Sequence, residues 1–266
     1  MSERIDRTAI IDALKRASLD SGYVRAAWLG GSDATGRLDA WSDIDWCCIA
    51  DDERLEDAVG LVRTTLAALS PIEIEWRLPS PTWHGHEQIF VRLRDAGPHL
   101  MIDSVVMKKS STPQSRLLET ERHGNARVLF DPEGLIVPPP FDRAAHAAKM
   151  KARLEQTRLK FPLLQTIVIR AIERGQPCDA AYFYMQLTLV PTVEVLRMLH
   201  CPDRFDYGMR YLRDDLPREV YDRICAAALP GSLDQLRAAQ KQCEGMFADA
   251  LARLDVTSGF AGPGKT

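Results

Sequence analysis

Trp28-Leu29-Gly30-Gly31-Ser32, then a ten-residue loop, then Asp43-Ile44-Asp45-Trp46 is the stretch that decides the fold. An apolar strand over Val24 to Leu29 runs into a Gly-Gly-Ser turn, and a second strand over Ile44 to Ala50 begins at two aspartates. Residues i and i+2 of a strand point to the same face. Asp43 and Asp45 therefore project side by side, while Ile44 turns into the core. Two carboxylates at one point repel and call for a cation, and a hard divalent ion with oxygen ligands, such as magnesium, suits them. Gly30 and Gly31 let backbone approach a phosphate closely, and Ser32 can donate from its hydroxyl and its N–H.

Around this stretch, helical and strand-like segments alternate. A helix is expected from Ile5 to Ala17, another from an Asp51-Asp52 cap to about Leu69, and a third near Gln114 to His123. Strands are expected over Ile72 to Arg77, Gln88 to Leu93, Leu100 to Met107 and Arg127 to Phe130. The pattern is α+β: a mixed sheet flanked by helices. The Leu100 to Met107 strand holds Asp103 within an otherwise apolar run. An unpaired buried carboxylate is costly, so Asp103 needs a partner or a metal. If its strand lies beside that of Asp43 and Asp45, three carboxylates converge, a layout suited to phosphoryl or nucleotidyl transfer with two ions.

Pro138-Pro139-Pro140 cannot continue a helix or a central strand and reads as a stiff linker. Beyond it the period is helical. Asp142 caps a helix from Arg143 to Lys160, Pro162 opens one to about Arg174, and Asp179 caps one through Leu199 with a kink at Pro191. Pro217 starts a helix ending near Leu229, and Ser232 caps the last, to about Leu254. The expected organisation is a catalytic domain over 1–137, a C-terminal helical bundle over 138–256 and a flexible tail over 257–266. The tail, Gly259 to Thr266, matches the G-x-x-x-x-G-K-T phosphate-loop pattern by letter. No helix is expected to follow it, so the dipole that would hold phosphate is not expected there.

The 266 residues carry 34 basic and 37 acidic side chains, a formal net charge of −3, with 45% hydrophobic residues. These proportions exclude a disordered or fibrous chain. The near-neutral total hides a split: residues 1–137 sum to −6 and the remainder to +3. Neither half has the basic excess of a protein that coats nucleic acid, which argues against a nucleic-acid partner. No apolar run is long enough to span a membrane, and the N-terminus lacks a secretory pattern, so a cytoplasmic chain is expected. The six cysteines form no C-x-x-C pair and read as reduced, buried thiols. His84-Gly85-His86 lacks further ligands at fitting spacing and reads as a turn.

The segment from Leu29 through Gly31, Ser32, Asp43 and Asp45, with Asp103 as a third carboxylate on a later strand, resembles the nucleotidyltransferase superfamily that includes DNA polymerase beta. Within it, GGSDATGRLDAWSDIDW (residues 30–46) looks most like the bacterial aminoglycoside and lincosamide nucleotidyltransferases. The resemblance implies two magnesium ions held by Asp43, Asp45 and Asp103, with ATP or another nucleoside triphosphate as co-substrate. It implies a small-molecule hydroxyl as acceptor, pyrophosphate as product and antibiotic resistance as a possible setting. Gly30, Gly31 and Ser32 would meet the phosphates, with Arg37 and Lys149 as further candidates. Asp103, or a separate glutamate such as Glu87, would be the general base. A protein or tRNA acceptor, or a non-catalytic nucleotide-binding role, stays open, as do monomer and homodimer.

Overall fold

The computed structural model describes residues 4–258, so the phosphate-loop pattern at 259–266 lies outside the described residues. The chain divides into two compact units, Met1–Phe141 and Asp142–Thr266.

The first unit is a six-stranded mixed sheet: β1 (Val24–Leu29), β2 (Ile44–Ala50), β3 (Ile72–Arg77), β4 (Glu87–Leu93), β5 (Met101–Lys108) and β6 (Arg127–Phe130). Their order across the sheet is β3-β4-β5-β2-β1-β6. Only β2 and β5 run parallel among these neighbours; the other pairs are antiparallel. Strand alternation sorts the side chains. Ile44, Trp46, Ile102 and Val106 face one core with α1 (Arg7–Ser21) and the later helix Leu55–Leu69, through Ile10, Leu14, Val62 and Leu66. Full burial of such a side chain is worth roughly 1.5–3 kcal/mol. Ile49, Val105 and Met107 face the other way, with Trp28 and Leu118. Asp45 and Asp103 belong to this second face.

Three local expectations change. Gly31 to Ser32 does not form a plain turn but opens a short helix, α2 (Gly31–Thr35). Asp51 and Asp52 do not cap α3 (Leu55–Leu69), which follows a 3-10 turn over Asp52–Arg54. Asp51 instead binds Arg25 at 2.9 and 2.6 Å, and Asp52 accepts the Ser110 N–H at 3.0 Å. A short carboxylate at a helix start serves whichever donor tertiary packing brings, and here that donor is distant. The helix expected near Gln114 to His123 is a 3-10 turn, Pro113–Ser115, and one turn of helix, α4 (Thr120–His123).

The second unit is helical: α5 (Arg143–Glu173), α6 (Pro177–Tyr184), α7 (Val190–His200), α8 (Leu212–Asp215), α9 (Arg218–Ala228) and α10 (Leu233–Ser258). Asp142 caps α5 through the Ala145 N–H at 2.9 Å, and the Ser232 hydroxyl accepts the Gln235 N–H at 3.2 Å. The break expected at Pro162 is absent. Helix α5 runs through it for 31 residues, because Leu154, Thr157, Phe161, Gln165 and Val168 keep one buried face across the proline. The long helix expected there is continuous over 177–200: α6 and α7 are joined without leaving helical backbone by a π-helical turn, Met185–Leu189, and Pro191 lies in the first turn after it. Cysteines 178 and 225 are exposed, against the expectation of burial; they lie on outward faces of α6 and α9. Among the described residues no helix is long and apolar enough to cross a membrane.

Candidate active site

The site is built where β1 hands over to α2 beside the start of β2. Leu29 pairs with Trp46, and the Gly30 N–H then donates to the Asp45 carbonyl at 2.9 Å. The chain bends at Gly31 with φ +49°, and a Cβ there would lie 1.7 Å from Asp45 Oδ2. Only glycine lets the backbone lie against that carboxylate. The Ser32 hydroxyl oxygen is buried and has no hydrogen-bond partner among the described residues. Beside the first turn of α2, whose N–H groups lack helical partners, it is a donor awaiting an acceptor.

Parallel pairing sets Asp45 directly opposite Asp103, in a register that runs from Ile44 against Ile102 to Ala50 against Lys108. Asp43 sits just before β2, its carbonyl accepting from Arg7 at 3.2 and 3.3 Å. Burial, then the charges of Asp43, Asp103 and Asp33, push the Asp45 carboxyl up to about 7, against the pull of Arg7. Asp103 is raised as well, by burial first and then by Asp43, while a hydrogen bond from Gln88 draws it back down. Both shifts come first from burial and then from carboxylates held close together.

Among the described residues, no three His, Cys, Asp or Glu side chains stand together as a finished cage for an ion. The donors nonetheless suit a hard divalent cation: carboxylate oxygens at the ends of adjacent strands, mutually repelling, beside an unpartnered hydroxyl. A cation would offset the burial and the carboxylate repulsion that together raise Asp45. The alternative base Glu87 stands elsewhere. It is paired with Val106, on the helix-covered face, and is held by Arg77 at 2.6 Å and Ser80 at 2.9 Å. Arg37 lies in the α2–β2 loop, its N–H bonded to the Ser32 carbonyl at 3.0 Å. Lys149 lies in the helical unit, where Nζ meets Asp206 at 2.9 Å.

Several residues escape a reading of the sequence. Arg7 pairs with the Asp33 carboxylate, which also meets Arg127 at 3.1 Å, and so ties α2 to the Asp43 loop. Gln88 Nε2 donates to Asp103 Oδ1 at 2.7 Å. The one signal for Gln88 is a polar residue alternating with Ile89 and Val91 in an apolar strand. Nothing local marks Arg7 or Asp33, whose partners lie tens of residues away.

A mixed sheet that presents paired aspartates beside a glycine bend has the layout implied by the nucleotidyltransferase signature. No protein-family model matches the chain, and no curated protein matches it. In structure it is similar to an aminoglycoside 6-adenyltransferase from Bacillus subtilis, at 10% identity over 97% of this chain and 94% of that one, TM-score 0.38. It is also similar to a spectinomycin adenyltransferase from Enterococcus faecialis, solved with ATP and spectinomycin, at 11% identity over 94% and 100%, TM-score 0.33. A cytoplasmic RNA terminal U-transferase matches at 16% identity over 74% and 49%, TM-score 0.25. Scores this low carry no weight for the chemistry, which rests on the atoms of the site.

Proposed function

We propose that this chain is a magnesium-dependent nucleotidyltransferase that moves a nucleoside monophosphate, AMP from ATP, onto a hydroxyl of a small molecule. The observation that carries this reading is Asp45 directly opposite Asp103 on parallel neighbours, with Gly31 backed against the Asp45 carboxylate. Asp43, Asp45 and Asp103 would hold the divalent ions. Bound there, the ions would neutralise the triphosphate and the charge growing on the leaving pyrophosphate. The Gly31 and Ser32 N–H groups and the Ser32 hydroxyl would donate to the β- and γ-phosphates. The acceptor hydroxyl oxygen attacks the α-phosphorus, the bond from that phosphorus to its bridging oxygen breaks, and pyrophosphate leaves. The hydroxyl proton passes to Asp103 Oδ2, the oxygen that Gln88 does not engage. A carboxyl held above its ordinary range by burial suits that task.

The test is pyrophosphate release with magnesium, each of four nucleoside triphosphates and a panel of aminoglycosides, lincosamides and other polyols. Asp45→Asn and Asp103→Asn should each lose about a hundredfold or more in turnover with the far-ultraviolet circular dichroism unchanged. Near-wild-type turnover in either variant sinks the mechanism. Labelled ATP that stays on macromolecules of a lysate would move the acceptor from a small molecule to a protein or RNA.

A further inference from the structure

We infer that His84 and Gln88 form a directional hydrogen-bond relay that positions Asp103 as a metal ligand. The inference rests on the metal-binding reading of the site above. The backbone N–H of His86 donates to His84 Nδ1 at 3.1 Å. An amide N–H can only donate, so Nδ1 carries the lone pair and the ring proton of neutral His84 sits on Nε2. His84 Nε2 lies 2.9 Å from Gln88 Oε1, which therefore accepts. That choice leaves the Gln88 NH2 facing Asp103, where it donates to Oδ1 at 2.7 Å. Nδ1 also lies 3.3 Å from the Thr82 hydroxyl oxygen, but the closer His86 N–H, which can only donate, sets the polarity of the chain and fixes an amide whose two ends would otherwise be interchangeable.

The anchor of the relay is itself held. The Thr82 hydroxyl donates to the His86 carbonyl at 2.5 Å, and the His86 ring, buried, meets the Ser115 carbonyl at 2.7 Å. Gln88 pairs with Val105 and so lies diagonally across from Asp103, on the face that carries the carboxylates. The relay thus grips one oxygen of Asp103 and leaves the other, Oδ2, without a hydrogen bond among the described residues. Without it, Asp103 is repelled by Asp45 in direct register and has nothing to hold it. Residues that orient a ligating carboxylate in this way typically contribute tenfold to a hundredfold in metal affinity. His84 and Gln88 are positioning residues: neither touches the reacting atoms.

Manganese binding to the whole chain, read as loss of the free-ion electron paramagnetic resonance signal, tests the relay without turnover. Gln88→Met keeps the shape and removes the donor, and should weaken manganese binding about tenfold or more. His84→Ala should weaken it less, because the Gln88 amide is then free to flip. His84→Gln, which restores an N–H where Nε2 lies, should return affinity to within about threefold of wild type. In the double variant His84→Ala, Gln88→Met the loss should equal that of Gln88→Met alone, since the two residues act in series. Equal binding by wild type and Gln88→Met, or losses that multiply in the double variant, would overturn the relay and leave the metal site standing. A wild type that binds no manganese overturns the metal reading and the relay with it. Nitrogen-15 shifts of metal-free protein should show His84 as the Nε2–H form, and an Nδ1–H form refutes the polarity.

Discussion

Gly31, the first residue of α2, and Gly36, just past its end, have left-handed backbones, φ +49° and +70°, yet differ in what a side chain would meet. A Cβ at Gly36 finds open space, whereas one at Gly31 lands on the Asp45 carboxylate. Gly36→Ala should cost about 1–2 kcal/mol by urea unfolding, from backbone strain alone, with metal binding kept. Gly31→Ala should cost more and abolish metal binding, because Asp45 must move; wild-type manganese affinity in Gly31→Ala would refute the close approach. Asp45 supplies a second prediction. Its carboxyl stands near 7 in the fold against an ordinary 3.8. The folded state therefore holds a proton that the unfolded chain has released, and this contribution to stability, full below about pH 4, is lost as pH rises through about 7. With chelator present, Asp45→Asn should gain stability over wild type on going from pH 5 to pH 8, measured by urea midpoints. An unchanged difference between the two pH values counts against the raised carboxyl. At this scale the closeness of Asp43 and Asp45 is legible in the sequence, because two positions apart is local, although Asp43 precedes β2 and the same-face rule of a strand begins only at Ile44. The opposition of Asp45 and Asp103 is not, since it depends on strand order and register. Arg7 and Gln88 are hidden for the same reason.

Strand positions read well from the sequence because each short apolar run ends at its own turn: Val24–Leu29, Ile44–Ala50 and Arg127–Phe130 agree with the expected bounds. Helices read less well wherever packing outweighs local rules. Proline in a helix interior lacks an N–H and crowds the preceding turn, at about 3 kcal/mol. Helix α5 bears that cost at exposed Pro162 because Phe161 stacks on Phe247 at 3.7 Å and Gln165 is buried three residues on. Gln165 also serves the π-helical turn. It donates to the Leu187 carbonyl at 2.9 Å and to the Phe161 carbonyl at 3.0 Å, and accepts from the Thr188 hydroxyl at 2.6 Å. Nothing in a one-dimensional pattern pairs residue 165 with residue 187. Since Pro162 projects outward, Pro162→Ala removes the backbone conflict and touches no packing. It should raise the stability of the helical unit by about 1–3 kcal/mol, read from the 222 nm ellipticity during urea unfolding. A fall in midpoint would show that the proline is needed for the helix to follow its buried face.

The two units have separate cores. One runs from Leu154 to Leu254 within the helical unit, and the other two lie wholly within the sheet unit. The three aspartates and the Gly31 bend lie in the sheet unit, and so do all five tryptophans, at 28, 41, 46, 76 and 83. Tryptophan fluorescence therefore reports unfolding of the sheet unit, while ellipticity at 222 nm is weighted toward the helices of the second. A chain with two cores need not unfold as one two-state body. A ligand stabilises whatever it binds by RT ln(1 + [L]/Kd), about 2.7 kcal/mol at a hundredfold excess over Kd. Manganese at that excess should raise the fluorescence midpoint by an amount matching about 2.7 kcal/mol and shift the ellipticity midpoint less. Phe161→Ala, which opens a cavity beside Phe247, should do the reverse: it lowers the ellipticity midpoint by about 3–5 kcal/mol equivalent and leaves the fluorescence midpoint near wild type. If manganese and Phe161→Ala both move the two probes together, the units unfold as one, and a site whose aspartates lie in the sheet unit draws its stability from the whole chain.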